Sequence, residues 1–306
     1  MSEPAVELRD LRKQYGALTA VDGVSLRVEQ GDVYGYLGPN GAGKTTSLRM
    51  MLGLILPTSG EVRLFGRDPT IDPVAALEGV AGFVEEPAFY PYLSGRRNLQ
   101  LLAALDGGAP AGRLAEVLDV VELADRAGDR VGEYSHGMRQ RLGIAAALLR
   151  SPRLLVLDEP ATGLDPAGMR DMRELVRSLA GQGITVLLSS HLMLEVEHLC
   201  NRVAIINRGR IRYEGGLAEL LARGRDRYRL TAADPGRAAE LCRAATGIHD
   251  ISVDNGDIRF AADADAVSGL TVAIGRAGIG IRSLVPAGGG LEELYFEITE
   301  PAEDEP

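Results

Sequence analysis

The chain has 306 residues, 45% of them hydrophobic, which is long for one domain and enough for two with buried cores. Its net charge of −10 argues against a nucleic-acid binder that works through a broad basic surface. No run approaches the roughly 18–20 apolar residues of a membrane-spanning helix; the best, from Leu142 to Leu149, is bounded by Arg141 and Arg150.

The opening residues are charged and lack the apolar core of a secretory signal, so a cytosolic chain is expected. Alternating segments at 5–11, 23–29 and 32–38 read as strands between turn residues. A Gly-rich turn then leads into a helix at about 43–52, stopped by Gly53 and Pro57. Strands are expected at 61–66 and 79–86. From about 94 to 150 the chain is Leu- and Ala-rich at helical spacing, broken at Gly107–Gly108 and Gly132, which predicts a helical subdomain. Apolar strands at 153–159 and 184–190 then alternate with helices at 166–179 and 192–199, and strands at 202–209 and 210–216 follow. Strands apolar throughout, set between helices, predict a mainly parallel sheet covered on both faces.

A segment at 217–227 leads into a different region. From Tyr228 onward 6 basic residues stand against 14 acidic ones, a shift that marks a separate unit. Its pattern is strand 228–232, helix 235–245, strands 249–253 and 258–261, helix 263–277, strand 281–285 and helix 290–299. That order predicts a small ferredoxin-like α+β domain over 228–306, after a first domain over 1–220. Cys200 and Cys242 follow no metal or redox spacing and are expected to be packed thiols.

Two motifs carry chemistry. Gly38-Pro39-Asn40-Gly41-Ala42-Gly43-Lys44-Thr45 fits G-x-x-x-x-G-K-[ST] between an expected strand and helix, with Thr46 following. Glycines there let backbone N–H groups wrap a phosphate chain, and the helix N-terminus adds a favourable dipole. Lys44 would reach the β- and γ-phosphates and Thr45 would ligate Mg²⁺. Only Lys13 and Lys44 are lysine among 33 basic residues, so Lys44 marks a place where a compact ammonium is needed and a guanidinium fork does not fit. The strand at 154–158 ends in Asp158, which would approach the far side of the Mg²⁺. Glu159, next in sequence, would polarise an attacking water.

With these motifs the chain resembles the ABC-type ATPases, over about residues 5–220. Tyr15 matches the aromatic that stacks on adenine in that family. Ser135-His136-Gly137-Met138-Arg139-Gln140 resembles the family signature at a helix start, which meets the γ-phosphate held by a second cassette; Ser135 and Gly137 match best. "ATGLDP" supplies Asp165 for the loop between the two sites, and His191 stands where the family has its γ-phosphate-sensing histidine. Two departures are visible: His136 occupies a signature position that is usually glycine, and Glu85 stands in place of the usual glutamine, as a possible Mg²⁺ ligand.

The resemblance implies a P-loop α/β cassette with an antiparallel N-terminal β-layer and an inserted helical subdomain at 94–150. It implies an ATPase that works with ATP and Mg²⁺ as a dimer with itself or a paralogous cassette. The partner would be a separate integral-membrane permease, placing the chain peripherally at the cytoplasmic face of the membrane. "EEPAFYPYLSGRRNL" and "GGGLEELYFEIT" look like the drug, antibiotic or lipid export branch. Phe83, Phe89, Tyr90 and Tyr92 would either meet the permease or pack on the helical subdomain. Leu291, Leu294, Tyr295 and Phe296 form a stripe that would either join a second tail or permease, or cover the tail's own sheet. His191, Glu195 and His198 lie about a helical turn apart, but the family role explains His191 better than a metal site does. A GTPase would need Asn-Lys-x-Asp, which two lysines at 13 and 44 exclude. A DNA-maintenance relative would need a long coiled-coil insertion, and a translation factor a second cassette with a basic linker. A nucleotide-dependent regulator without a permease remains the alternative.

Overall fold

The computed structural model describes residues 3–110, 112–222, 226–254, 256–286 and 290–299. Its contacts divide the chain into two units, Met1–Gly215 and Gly216–Pro306.

In the first unit β1 (Val6–Tyr15) turns through Gly16 into β2 (Leu18–Val28), and both β2 and β4 (Ser59–Leu64) pair antiparallel with β1. The larger sheet holds β3 (Val33–Leu37), β5 (Val80–Phe83), β6 (Leu154–Asp158), β7 (Thr185–Ser190), β8 (Arg202–Asn207) and β9 (Arg210–Gly216). Its order is β5-β6-β7-β3-β8-β9, and every pairing from β5 to β8 is parallel. Strands β6 and β7, apolar at their centres and ending in Asp158 and Ser189–Ser190, are buried along their whole length, as expected of a sheet covered on both faces.

α1 (Lys44–Met51) packs between the two sheets, in a core that includes Leu8, Val28, Tyr34, Tyr36, Met50 and Val156. Burial pushes the Tyr34 and Tyr36 phenols up, so both stay neutral; Tyr36 donates to Ser47 Oγ at 3.1 Å. A four-residue helix, α2 (Pro73–Ala76), capped by Asp72, went unread in the sequence.

The helical stretch resolves into α3 (Gly95–Leu105), α4 (Arg113–Val120) and α5 (His136–Leu148), with 3₁₀ turns at Ala124–Arg126 and Val131–Glu133. Ser94 caps α3 and Ser135 caps α5 through their hydroxyls. α6 (Pro166–Gly181) and α7 (Met193–Leu199) complete the unit.

The second unit begins with α8 (Leu217–Ala222), so the change of unit falls before that helix; residues 223–225 lie outside the described set. Then come β10 (Arg227–Ala232), α9 (Pro235–Ala244), β11 (Ile248–Asp254), β12 (Asp257–Ala262), α10 (Ala264–Arg276), β13 (Ile281–Pro286) and α11 (Leu291–Thr299). The antiparallel order β11-β12-β10-β13 is the ferredoxin-like arrangement expected from βαββαβ. It has its own core, around Leu230, Cys242, Phe260 and Ile274. Leu291, Leu294 and Tyr295 are buried within the chain, where α11 packs against α8. That limits the expected outward stripe to Phe296, which is half exposed. Residues 300–306 of the acidic tail lie outside the described residues.

Candidate functional site

Parallel pairing lines up Leu37 with Ser190, Asp158 with Ser189 and Phe83 with Leu157. The loops that leave β3, β5, β6 and β7 therefore emerge along one edge of the sheet, where α/β proteins bind ligands. Gly38 to Gly43, Glu85, Glu159 and His191 sit on these loops.

Glycine is obligatory at two of the loop positions. A Cβ on Gly38 would lie 2.4 Å from the Ile206 carbonyl oxygen, and Gly43, at φ 105°, would meet the Ala20 oxygen at 2.5 Å. The tight wrap of Gly38, Pro39, Asn40, Gly41, Ala42 and Gly43 places Lys44, Thr45 and Thr46 in the first turn of α1. Lys44 is buried, with its Nζ 2.6 Å from Gly38 O and 3.1 Å from Glu159 Oε1. Thr45 Oγ1 donates to Asp158 Oδ2 at 3.0 Å.

Glu159 is held from several sides. Its backbone N–H donates to Ser189 Oγ at 3.0 Å and to Ser189 O at 3.2 Å, which fixes it at φ 51°. That left-handed conformation is uncommon for a non-glycine residue and needs such support. Thr162 Oγ1 donates to Glu159 Oε2 at 2.8 Å, and His191 Nδ1 lies 2.8 Å from the same oxygen. Burial alone would push the Glu159 carboxyl up. The Lys44 ammonium and the bonds from Thr162, Lys44 and His191 outweigh it and hold the group below its usual range. Ser189 also donates its hydroxyl to Asp158 Oδ1, orienting that carboxylate towards Thr45.

Glu85 reaches the site through its backbone: its N–H lies 3.3 Å from Asp158 Oδ2. Its side chain is largely exposed and turns instead to Arg49 on α1, at 2.6 Å. Asp165 caps α6, accepting from Gly168 N at 2.8 Å. Ser135 accepts from Met138 N at 3.2 Å, while Gly137 approaches Leu164 closely. Tyr15 is half exposed at the end of β1, with Lys13 Nζ 5.1 Å from its ring centroid. His191, Glu195 and His198 take separate partners: Glu159, Arg173 at 3.2 Å and the Leu194 carbonyl at 2.6 Å.

Sequence reading missed Ser189, Thr162 and Arg49. A serine pair closing an apolar strand was a usable signal for Ser189, since a buried hydroxyl there needs a partner. The other two are brought in only by tertiary structure.

A family profile described as ABC transporter matches residues 21–162. A bacitracin transport ATP-binding protein from Bacillus licheniformis is 39% identical over 295 residues, covering 96% of this chain and 96% of that protein. The chain belongs to the ABC transporter ATP-binding proteins. A daunorubicin resistance ATP-binding protein from Streptomyces coeruleorubidus is 36% identical over 309 residues, 98% of this chain and 97% of the relative. Among solved structures, an ATP-binding subunit of an ABC transporter is 29% identical with a TM-score of 0.64, covering 72% of this chain and 92% of that one. A nucleotide-free ABC cassette is 25% identical with a TM-score of 0.65, covering 71% of this chain and 93% of that one. The ABC cassette fold and the family expected from the ordered motifs are therefore correct, and with them ATP binding and ATPase activity in the service of transport.

Proposed function

We propose that the chain powers export of an antibiotic-like compound through a separate membrane permease, and that Glu159 aligns the water that attacks ATP. The observation that carries this reading is the convergence of Lys44, Asp158, Glu159 and His191 at one sheet edge. Adenine would stack on Tyr15, the loop from Gly38 to Gly43 would wrap the phosphates, and Lys44 would exchange Glu159 for the β- and γ-phosphates. Thr45 and Asp158 are hard oxygen donors already within 3.0 Å of each other, which suits Mg²⁺. Glu85 joins that set only if its carboxylate leaves Arg49. When bound, Mg²⁺ would supply positive charge to offset that of the phosphates. Glu159, kept ionised, would accept a proton from the water, while His191 steadies the carboxylate and senses the γ-phosphate.

A second copy or a paralogous cassette would present its Ser135 and Gly137 to this nucleotide, with Asp165 beside the shared boundary. The permease would dock in an apolar groove of about 410 Å³ lined by Leu52, Leu54, Phe83, Phe89, Leu102 and Leu105. Exposed Tyr90 and Tyr92 lie just beyond it in sequence and suit such a contact. This docking would hold the chain at the cytoplasmic face. The bacitracin and daunorubicin relatives, matched over 96% and 97% of their lengths, support a bulky antibiotic-like cargo.

Glu159→Gln tests the core of the reading. It should retain ATP binding, slow turnover by ~10²-fold or more, and accumulate an ATP-bound dimer in gel filtration. Near-normal hydrolysis by this variant would remove Glu159 from the role.

A further inference from the structure

His136 occupies the signature position that is usually glycine, and its side chain is engaged within its own cassette. The ring Nε2 lies 2.9 Å from the Thr162 carbonyl oxygen, and Nδ1 lies 3.5 Å from Glu86 Oε1. The carbonyl can only accept, so Nε2 carries the proton and donates it. Gly163, at φ 77°, approaches the same ring: a Cβ there would lie 3.5 Å from it. Thr162 in turn donates its hydroxyl to Glu159 Oε2 at 2.8 Å and its N–H to the Glu159 carbonyl at 3.1 Å.

Two bonds thus connect the signature helix α5 to the carboxylate of Glu159. Ser189 fixes only the backbone of Glu159; the side chain depends on Lys44, Thr162 and His191. Once Lys44 turns to phosphate, Thr162 and His191 are the remaining anchors. A glycine in place of His136 would leave the turn from Glu159 to Thr162 without this tie.

We propose that His136 is a positioning residue for hydrolysis, holding the Thr162 turn so that the Thr162 hydroxyl keeps the Glu159 carboxylate aligned. The inference rests on the reading of Glu159 as the group that aligns water.

The test is a double-variant cycle on the full chain, reading kcat, KM for ATP, nucleotide affinity and Tm. His136→Ala should lower kcat by about tenfold or more, as expected when a catalytic group is misplaced, with KM and nucleotide affinity unchanged. His136→Gln, whose amide can still donate to the carbonyl, should restore most of the rate. Thr162→Val should lose as much as His136→Ala, and the double variant should be no slower than either single one, because both cut the same connection. Multiplying losses in the double variant would overturn the proposal, as would a rate loss that glutamine does not restore. Should His136→Ala fail to fold, His136→Asn, too short to reach the carbonyl, takes its place in the cycle. Glu159→Gln, assayed in parallel, separates the two readings. Normal turnover in that variant removes the role of Glu159, whereas slow turnover with a multiplicative cycle removes only that of His136.

Discussion

Lys44 is nearly fully buried, and its ammonium is shared between the Gly38 carbonyl and the Glu159 carboxylate at 2.6 and 3.1 Å. A guanidinium is planar and wider and does not fit the buried space that the compact ammonium takes between the two loops. Lys44→Arg should therefore abolish ATP binding or hydrolysis although charge is kept; wild-type turnover by the arginine variant would refute the argument. Glu85 calls for a comparison of backgrounds. Arg49 holds its carboxylate in an exposed ion pair, of the kind worth about 1 kcal/mol or less. Glu85→Gln should then shift the Mg²⁺ concentration for half-maximal hydrolysis, and shift it further, by up to about fivefold, in an Arg49→Gln chain that no longer has to break that pair. Equal titrations in both backgrounds would mean that the carboxylate never meets the metal. Legibility at this scale followed sequence distance. The phosphate loop is written in eight consecutive residues, so its spacing alone was decisive. Ser189 reaches Asp158 through sheet register, and Arg49 reaches Glu85 by the docking of α1, so no local pattern could announce them.

α5 passes unusually close to the loop after β5. A Cβ on Gly143 would lie 2.4 Å from Pro87 Cγ and 3.2 Å from Phe83 Cε1, so the helix can approach the groove wall only as glycine. Helix propensity favours alanine over glycine by about 1 kcal/mol, but overpacking costs typically 1–3 kcal/mol. Gly143→Ala should thus lower stability in thermal unfolding. Gly269, inside α10 with nothing within 4 Å of its Cβ position, should gain stability by the same change. Equal signs for the two variants would sink the packing argument. Most elements were legible from a clear local signal, the continuous apolar runs at the centres of β6 and β7 and the long period and Asp165 cap of α6. β1 runs on through the polar stretch to Tyr15 because antiparallel pairing with β2, not apolar alternation, sustains it. α2 is a single turn, too short for any period to register.

The division between units was expected near the start of the acidic excess, but α8 belongs with the second unit and packs against α11. Charge composition could not reveal this, since α8 is mostly apolar and its partner lies at the far end of the chain. Each unit has its own apolar core, one around α1 between two sheets and one beneath the ferredoxin-like sheet. Every candidate ATP-site residue lies before Gly216, where β9 ends. A chain cut after Gly216 should therefore fold, as judged by circular dichroism, and bind ATP within about threefold of the full chain, since domains with separate cores fold independently. A cut after Arg227 should behave worse despite being longer. It keeps Leu217 and Leu220, both buried in the full chain, while removing α11, against which α8 packs. An apolar helix left without that cover favours association, so the longer fragment should aggregate at concentrations where the shorter one stays monodisperse. If the shorter fragment is folded yet fails to bind ATP, the second unit takes part in building the site, and the ATP site does not end with the first unit.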